Sequence, residues 1–249
     1  MILLALETAT EACSVAVWVD GQVRERFEVA PRGHAERVLP WAEQLLAEAG
    51  LARAQLDAIA VGRGPGAFTG VRLAIAVAQG IALALDRPVL PVSTLRTLAA
   101  RSFSLAPAAE QGPDGERSGS RAILAAIDAR MGEIYAAAFR PYGGDMAALG
   151  AEVVVPPADY AFEDAGAGTH WTGLGTGFAA AEAALARRLS PRFDAIDASA
   201  LPHAADLARL AALDFARDLA VPPERVEPAY LRDNVALTLE QQAAHAARR

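Results

Sequence analysis

The chain carries one short pattern twice, and this repetition restricts its possible folds more than any other feature of the sequence. An apolar run at residues 2–6 ends in the carboxylate Glu7, and a second apolar run at residues 122–127 ends in Asp128. Each carboxylate is followed by a short turn and then by an apolar return run. Such a pattern predicts a buried β-hairpin. Two copies in one chain predict two similar halves related by duplication.

The first half continues with alternating strand and helix patterns. The β-branched runs up to residue 29, interrupted by the Asp20–Gly21 turn, predict three antiparallel strands. Helical spacing over residues 34–50 and 71–85 predicts two helices, with a strand at residues 56–61 between them. Large residues alternate with Ala and Gly within 71–85, so a strand also fits there, although the length and the alanine content favour a helix.

These patterns predict an α/β chain with duplicated mixed-sheet halves and a division into two domains. We expect an N-terminal domain over residues 1–103 and a C-terminal domain over residues 121–236, whose last helix could pack back on the first domain. Residues 104–120 are rich in Pro, Gly, Glu and Ser without periodicity, which predicts a mobile connection. Residues 237–249 form a polar tail.

The composition excludes several classes of chemistry. The chain contains no lysine, so a Walker phosphate loop, a Schiff base and a lysine general base are all excluded. Its single cysteine, Cys13, excludes an intrachain disulfide and fits a reducing compartment. The histidines at positions 34, 170, 203 and 245 contain no pair at helical spacing, so no metal site is predicted.

Charge and hydropathy restrict the location and the partners. A formal charge of −7 argues against an RNA-binding module that acts alone, because nucleic-acid affinity comes largely from neutralised phosphates. The N-terminus lacks the basic region of a signal peptide. The most apolar run, residues 73–85, is shorter than the roughly 20 residues that span a bilayer. We therefore expect a cytoplasmic protein without a membrane segment.

Duplicated halves of this kind resemble the actin, sugar-kinase and Hsp70 superfamily, in which the first hairpin holds a nucleotide's phosphates. Over nearly its whole length the sequence more closely resembles the bacterial TsaB (YeaZ) family, paralogues of TsaD. Four runs in the family's order carry this resemblance: residues 7–16, residues 62–66 with 68–72, residues 126–133, and Pro228 with residues 230–232. The chain departs from the commonest pattern at Glu7, where many members have Asp, and in its longer segment at residues 106–120.

The resemblance implies a two-domain actin-like fold and an accessory role. The chain would be a non-catalytic scaffold or activating subunit for a TsaD-like paralogue, which transfers a threonylcarbamoyl group to the adenosine adjacent to the anticodon of tRNA. A TsaE-like ATPase would be a second partner, and the chain would form a homodimer when alone. The resemblance also implies that ATP or ADP binds only in the complex and that tRNA is contacted only indirectly.

A nucleotide site is the first candidate functional site. The acidic hairpin turns could form a vestigial or shared site that includes Glu7, Thr8, Thr10, Glu11 and Asp128. The alternative to an accessory role is an actin-like small-molecule kinase or ATPase that uses the two hairpins. The glycine-rich turn at residues 62–70 could cradle phosphate, but the favoured interpretation is a tight connection in which backbone approaches backbone.

A partner surface is the second candidate. The helix at residues 71–85 is apolar nearly all round, which indicates burial in the core or against a partner. Small residues at four-residue spacing would let a partner helix approach closely. Together with the preceding helix, this pattern and the resemblance predict the following interface residues: Val38, Trp41, Leu45, Arg72, Ile75, Ala76, Gln79, Gly80 and Leu83.

Overall fold

The first half folds into a five-stranded mixed sheet that begins with the predicted hairpin. The structure, a computed structural model, describes residues 1–105, 121–162 and 165–232. The strands lie in the order β3-β2-β1-β4-β5, with β1 to β3 antiparallel and both β4 and β5 parallel to β1. Their bounds are Ile2–Glu7 (β1), Ala12–Val19 (β2), Gln22–Val29 (β3), Ala58–Gly62 (β4) and Val89–Val92 (β5).

Three helices accompany this sheet, namely α1 (His34–Glu48), α2 (Phe68–Leu85) and α3 (Thr94–Leu105). Helices α1 and α2 cover one face, where their apolar side chains share a core with those of β1, β2 and β4. The predicted helix at residues 71–85 is confirmed, and it begins three residues earlier, at Phe68. The predicted order of strands and helices in this half is also confirmed.

The second half forms a six-stranded sheet in the order β11-β10-β6-β7-β8, with β9 paired to β7. Two helices belong to this half, α4 and α5, and α4 contains left-handed residues near its start. Strands β8, β9 and β11 were not predicted from the sequence, and each is short, with three to five residues. The bounds are Arg121–Arg130 (β6), Glu133–Tyr142 (β7), Asp145–Ala148 (β8), Val153–Val155 (β9), His170–Leu174 (β10), Ala180–Leu189 (α4), Phe193–Asp197 (β11) and Ala204–Ala216 (α5).

The two sheets repeat one topology. In each, a three-stranded antiparallel meander is extended by two parallel strands: β3-β2-β1-β4-β5 corresponds to β8-β7-β6-β10-β11. Strands β1 and β6, which end near Glu7 and Asp128, occupy the same central position in their sheets. The duplication predicted from the sequence is therefore confirmed.

Helices α3 and α5 lie between the sheets and join the two halves. Helix α5, from the second half, packs on β1 and β2, and α3, from the first half, packs on β6 and β7. Apolar side chains of both sheets and both helices form one cluster, which includes Leu3, Leu98, Ile123 and Leu207. The halves consequently share a core.

After α5 the chain returns to the first half. Val221 forms an antiparallel bridge with Val89, with both N···O distances at 2.8 Å. We call residues 220–232 the C-terminal strap. The predicted mobile connection lies outside the described residues from residue 106 onwards, and so does the predicted tail at residues 237–249.

Candidate functional site

The Glu7 side chain is buried in the protein interior. Only 1% of Glu7 is exposed, and its carboxyl accepts hydrogen bonds from the Ala9 backbone N–H (2.8 Å) and the Thr94 hydroxyl (3.2 Å). The carboxyl occupies the space above Gly62, where a Cβ atom would lie 2.1 Å from Glu7 Oε2. Burial raises the pKa of Glu7 to about 7, although these hydrogen bonds oppose the shift. The carboxyl is therefore partly protonated near neutral pH.

The glycine-rich turn closes over the β1–β2 turn. A Cβ atom on Gly66 would lie 2.3 Å from the Ala9 carbonyl oxygen, and one on Gly70 would lie 2.0 Å from the Thr8 carbonyl oxygen. The Ala67 N–H donates to the Ala9 carbonyl at 2.6 Å, and the Thr8 hydroxyl donates to the Gly70 carbonyl at 2.7 Å. Of the two interpretations of this turn, close backbone approach is the one this geometry supports.

The other candidate residues of the first hairpin are also engaged within the chain. Thr10 is buried, and its hydroxyl accepts a hydrogen bond from the Ala12 N–H at 3.3 Å. The Glu11 carbonyl accepts a hydrogen bond from the Ala30 N–H at 3.0 Å, which ties the hairpin to the end of β3. The predicted cluster of Glu7, Thr8 and Thr10 is thus assembled as a packed turn.

Asp128 is bound within its own hairpin. Its carboxylate accepts a hydrogen bond from the Arg130 backbone N–H (2.8 Å) and forms an ion pair with the Arg130 guanidinium (3.0 Å). Arg130 and Met131 both have positive φ, at 63° and 56°, and the Met131 side chain is exposed. Each of the two carboxylates, Glu7 and Asp128, is therefore satisfied by partners in its own half of the chain.

The described residues contain no group of three or more His, Cys, Asp and Glu side chains suited to a metal ion. Cys13 is a buried free thiol in β2, and burial raises its pKa to about 11. A thiol with so high a pKa is almost fully protonated near neutral pH and is a poor nucleophile. Cys13 is therefore a packed core residue.

Helix α2 has one face in the core and one face in solvent. Of its two small-residue ridges, Ala74, Ala78 and Ala82 are buried, whereas Ala76 and Gly80 are exposed. By length and composition α2 could cross a membrane, yet in this structure it packs on the first sheet. Within the chain, 33% of its residues are buried. Because large apolar residues remain on the open face, this face is the candidate partner surface.

Three of the predicted interface residues require correction. Val38, Leu45 and Ile75 are at most 5% exposed and belong to the core beneath α1 and α2. They are apolar because the helices pack on the first sheet, so they are not available to a partner. Trp41 is half-buried against the same core, while Leu39 on α1 is exposed and was not predicted.

The C-terminal strap runs antiparallel to α2 along one side of this surface. Gln79, predicted to contact a partner, donates to the Pro223 carbonyl at 2.9 Å. The Ala229 N–H donates to the Arg63 carbonyl at 2.8 Å. Arg232 then forms an ion pair with Glu133 in the second sheet. The strap therefore contributes to the α2 surface and links it to the second half.

An exposed aromatic and arginine cluster marks the N-terminal end of α2. The Arg72 guanidinium carbon lies 3.5 Å from the centre of the Phe68 ring and 5.7 Å from that of Tyr230. Arg72 Nη2 donates to the Tyr230 hydroxyl at 2.8 Å. Both rings remain more than half exposed. Aromatic and arginine side chains in this arrangement are typical of energetically important interface residues.

Two parts of this surface were not predicted from the sequence. Phe68 precedes the predicted helix start, and the strap was assigned to the second domain. The spacing of Phe68 and Arg72, four residues apart, is a local signal that could have placed both on one helix face. No comparable signal predicts the strap, because its contacts with α2 join residues more than 140 positions apart.

Comparison with known proteins supports a family assignment. Residues 27–239 match the family described as TsaD, tRNA N6-adenosine threonylcarbamoyltransferase. The chain is also 39% identical to the tRNA threonylcarbamoyladenosine biosynthesis protein TsaB of Escherichia coli (strain K12), over 95% of this chain and 96% of that protein. The chain belongs to the TsaB family.

Other TsaB relatives agree with this assignment. TsaB of Haemophilus influenzae (strain ATCC 51907 / DSM 11121 / KW20 / Rd) is 45% identical over 54% of this chain and 52% of that protein. The solved structure of YeaZ from Pseudomonas aeruginosa is 46% identical and has a TM-score of 0.78, covering 92% of this chain and 99% of that chain. The predicted two-domain actin-like α/β fold of the TsaB family is therefore confirmed.

Proposed function

We propose that this TsaB-family chain is a non-catalytic scaffold or activating subunit in the formation of threonylcarbamoyladenosine on tRNA. It binds a TsaD-like paralogue through the open face of α2 and carries out no chemistry alone. The relatives' names, which refer to tRNA threonylcarbamoyladenosine biosynthesis, support the pathway. The proposal of a partner-binding role rests on the face of helix α2 that leaves large apolar side chains exposed.

The composition of this face supports protein binding. Phe68 is 60% exposed and Leu83 is 64% exposed, with Ala76 and Gly80 between them. Leaving large apolar side chains in water costs free energy that a partner recovers by covering them. Ala76 and Gly80 permit close helix approach, since a Cβ atom on Gly80 would meet no atom within 4 Å. A TsaD-like paralogue with a matching helix fits such a surface.

The absence of independent chemistry is part of the same proposal. Metal-bound nucleotides need ionised, accessible carboxylates, whereas Glu7 is buried, hydrogen-bonded and partly protonated near neutral pH. Gly66 and Gly70 bring the glycine-rich turn onto the backbone of the same hairpin. These features support a chain that binds no nucleotide by itself, with ATP or ADP held only in the assembled complex.

The remaining partners follow from charge and from the family. An acidic chain with a formal charge of −7 supports indirect contact with tRNA through its partners. A TsaE-like ATPase would join the complex, and the chain would form a homodimer when the paralogue is absent. A single buried, unpaired cysteine supports a cytoplasmic location.

Mixing the purified chain with its TsaD-like paralogue tests the proposal, with the assembly mass measured by size-exclusion chromatography and light scattering. We expect a stoichiometric complex for the wild type and none for Ala76→Arg, because the change buries an unpaired charge in the interface. Ala147→Arg, at an exposed alanine on β8, is the matched control and should leave the complex intact.

Two outcomes would contradict the proposal. A complex that survives Ala76→Arg would exclude the α2 face as the binding surface. Saturable ATP binding with turnover by the isolated chain would replace the scaffold role with the alternative function, a small-molecule kinase or ATPase that uses the hairpins at Glu7 and Asp128.

A further inference from the structure

A small open cavity lies between the two halves, and none of its lining residues belongs to α2, the strap or the β1–β2 hairpin. Its volume is about 250 Å³, and its walls come from the end of β3, from α3 and from the chain between the end of β11 and α5. One water molecule takes roughly 30 Å³ of the liquid, so the cavity has room for about eight atoms of that size. The cavity therefore suits one small molecule.

One wall of the cavity is apolar and held in place. Phe27 and Val29, on the edge strand β3, are 37% and 54% exposed, and Leu201 lines the same cavity. The Phe27 ring stacks flat on the His203 ring, with the ring centres 4.0 Å apart. His203 Nδ1 is in turn hydrogen-bonded to the Glu25 carboxylate at 2.9 Å. These contacts fix both rings before any ligand arrives, which favours binding.

A fixed anion lines the cavity at the end of β11. One oxygen of the Asp197 carboxylate, Oδ1, accepts hydrogen bonds from the Ser199 backbone N–H (2.9 Å) and hydroxyl (2.7 Å). Within the described residues, the other oxygen, Oδ2, has no hydrogen-bond partner. The Ser199 hydroxyl is the main cause that lowers the pKa of Asp197, and the charge of Arg101 adds to it. Asp197 is therefore ionised near neutral pH and keeps one oxygen free to accept.

A cation from the first half lines the same cavity. Arg101 Nη1, on α3, lies 3.4 Å from the Asp206 carboxylate, whose closer partner is Arg209 at 2.7 Å. In the part of the chain that the structure describes, Nε and Nη2 of Arg101 donate to no acceptor. Arg101 and Asp197 form no direct ion pair among the described residues, although both line the cavity. The cavity thus contains a cation with free donors and an anion with a free acceptor.

We propose that this cavity binds a free α-amino acid with a small side chain, of the size of L-valine or L-threonine. The ammonium group donates to Asp197, the carboxylate accepts from Arg101, and the side chain lies against Phe27 and Val29. An amino acid fits because its two opposite charges, joined through one carbon atom, match both charged groups of the cavity, whereas a ligand with one charge matches only one. The bound amino acid contacts both halves and stabilises their association. This inference goes beyond the proposed function, because it requires no paralogue.

Isothermal titration calorimetry of the purified chain with L-valine and L-threonine tests the proposal. For so small a ligand in an open site we expect a dissociation constant on the order of 1 mM. At a ligand concentration ten times the dissociation constant, the melting temperature should rise by about 4 °C. N-acetyl-L-valine lacks the ammonium group and isobutylamine lacks the carboxylate, so each should bind at least about tenfold more weakly than L-valine.

Asp197→Asn should also weaken L-valine binding by at least about tenfold, because it removes the charge while Asn can still accept the hydrogen bonds from Ser199. Asp159→Asn, at an exposed aspartate in the second half, is the matched control and should bind as the wild type does. Val29→Trp narrows the cavity at an exposed position without changing any charge, and it should weaken binding as well. Circular dichroism melting curves establish that each variant is folded.

Three results would overturn the proposal. The first is the absence of saturable binding of either amino acid by the wild type at concentrations on the order of 10 mM. The second is equal affinity for L-valine and N-acetyl-L-valine, which would exclude recognition of the ammonium group. The third is undiminished binding by folded Asp197→Asn and Val29→Trp, which would place the amino acid outside this cavity.

Discussion

Replacing Glu7 by Gln is expected to stabilise the chain at alkaline pH and to change its stability much less near pH 5. Glu7 is fully buried, and burial raises its pKa from 4.5 to about 7. Folding therefore disfavours the ionised form. The contribution of Glu7 to stability is fully present below pH 4.5 and is lost as the pH rises through 7.

The magnitude follows from the two pKa values. A tenfold change in an equilibrium constant corresponds to about 1.4 kcal/mol, so the ionised Glu7 destabilises the native state by about 3 kcal/mol at pH 8.5 and by about 1 kcal/mol at pH 5. Gln at this position can still accept the hydrogen bond from the Ala9 N–H and can donate one to the Thr94 hydroxyl. The amide therefore removes the charge while keeping both contacts.

Urea unfolding at pH 5 and pH 8.5, followed by tryptophan fluorescence, measures the difference. The free energy of unfolding of Glu7→Gln, relative to the wild type, should rise by about 2 kcal/mol between the two pH values. Equal effects at both pH values would refute the reasoning, because Glu7 would then titrate in the native state as it does in the unfolded chain.

Glu25→Gln is the matched control, since it removes another largely buried carboxyl with the opposite shift. Burial would raise the pKa of Glu25, but hydrogen bonds from His203 and Ser14 outweigh it and lower the pKa. Its ionised form stabilises the native state above pH 4.5, and this contribution is lost as the pH falls through the lowered native pKa. Glu25→Gln should therefore destabilise the chain at pH 8.5, with a smaller effect in acid.

Two further predictions concern packing and buried charge. Gly70→Ala should destabilise the chain by at least about 2 kcal/mol in thermal unfolding, because its Cβ atom would lie 2.0 Å from the Thr8 carbonyl oxygen. Gly80→Ala, in the same helix, faces open space and should stabilise the isolated monomer by up to about 1 kcal/mol in the same assay. Arg96→Leu should lower the free energy of unfolding by about 3 kcal/mol, because it removes the buried guanidinium that pairs with both Asp145 and Asp214 and leaves them paired with the half-exposed Arg217. Arg53→Leu, at an exposed pair with Glu43, should change the free energy of unfolding little. Similar urea midpoints for the two variants would contradict this prediction.

The sequence by itself determined the main elements of the first half and the repetition of the hairpin. The hairpins at Glu7 and Asp128, the helical spacing of α1 and α2, and the strand before the glycine-rich turn all depend on residues close together in the chain. Such features are visible as local periodicity in the sequence, because buried side chains recur at every second residue of a strand and at every third or fourth residue of a helix. Composition likewise excluded lysine chemistry without any structure.

Only the tertiary structure decided which side chains a partner could reach. An all-round apolar helix does not reveal which face packs on its own sheet, so Ile75 and Ala76, adjacent in sequence, have opposite exposure. The placement of Tyr230 beside Arg72 and the packing of α5 on the first sheet depend on contacts between residues far apart in the chain. Such contacts leave no periodic signal, because they are selected by the fit of whole surfaces and not by the spacing of neighbours.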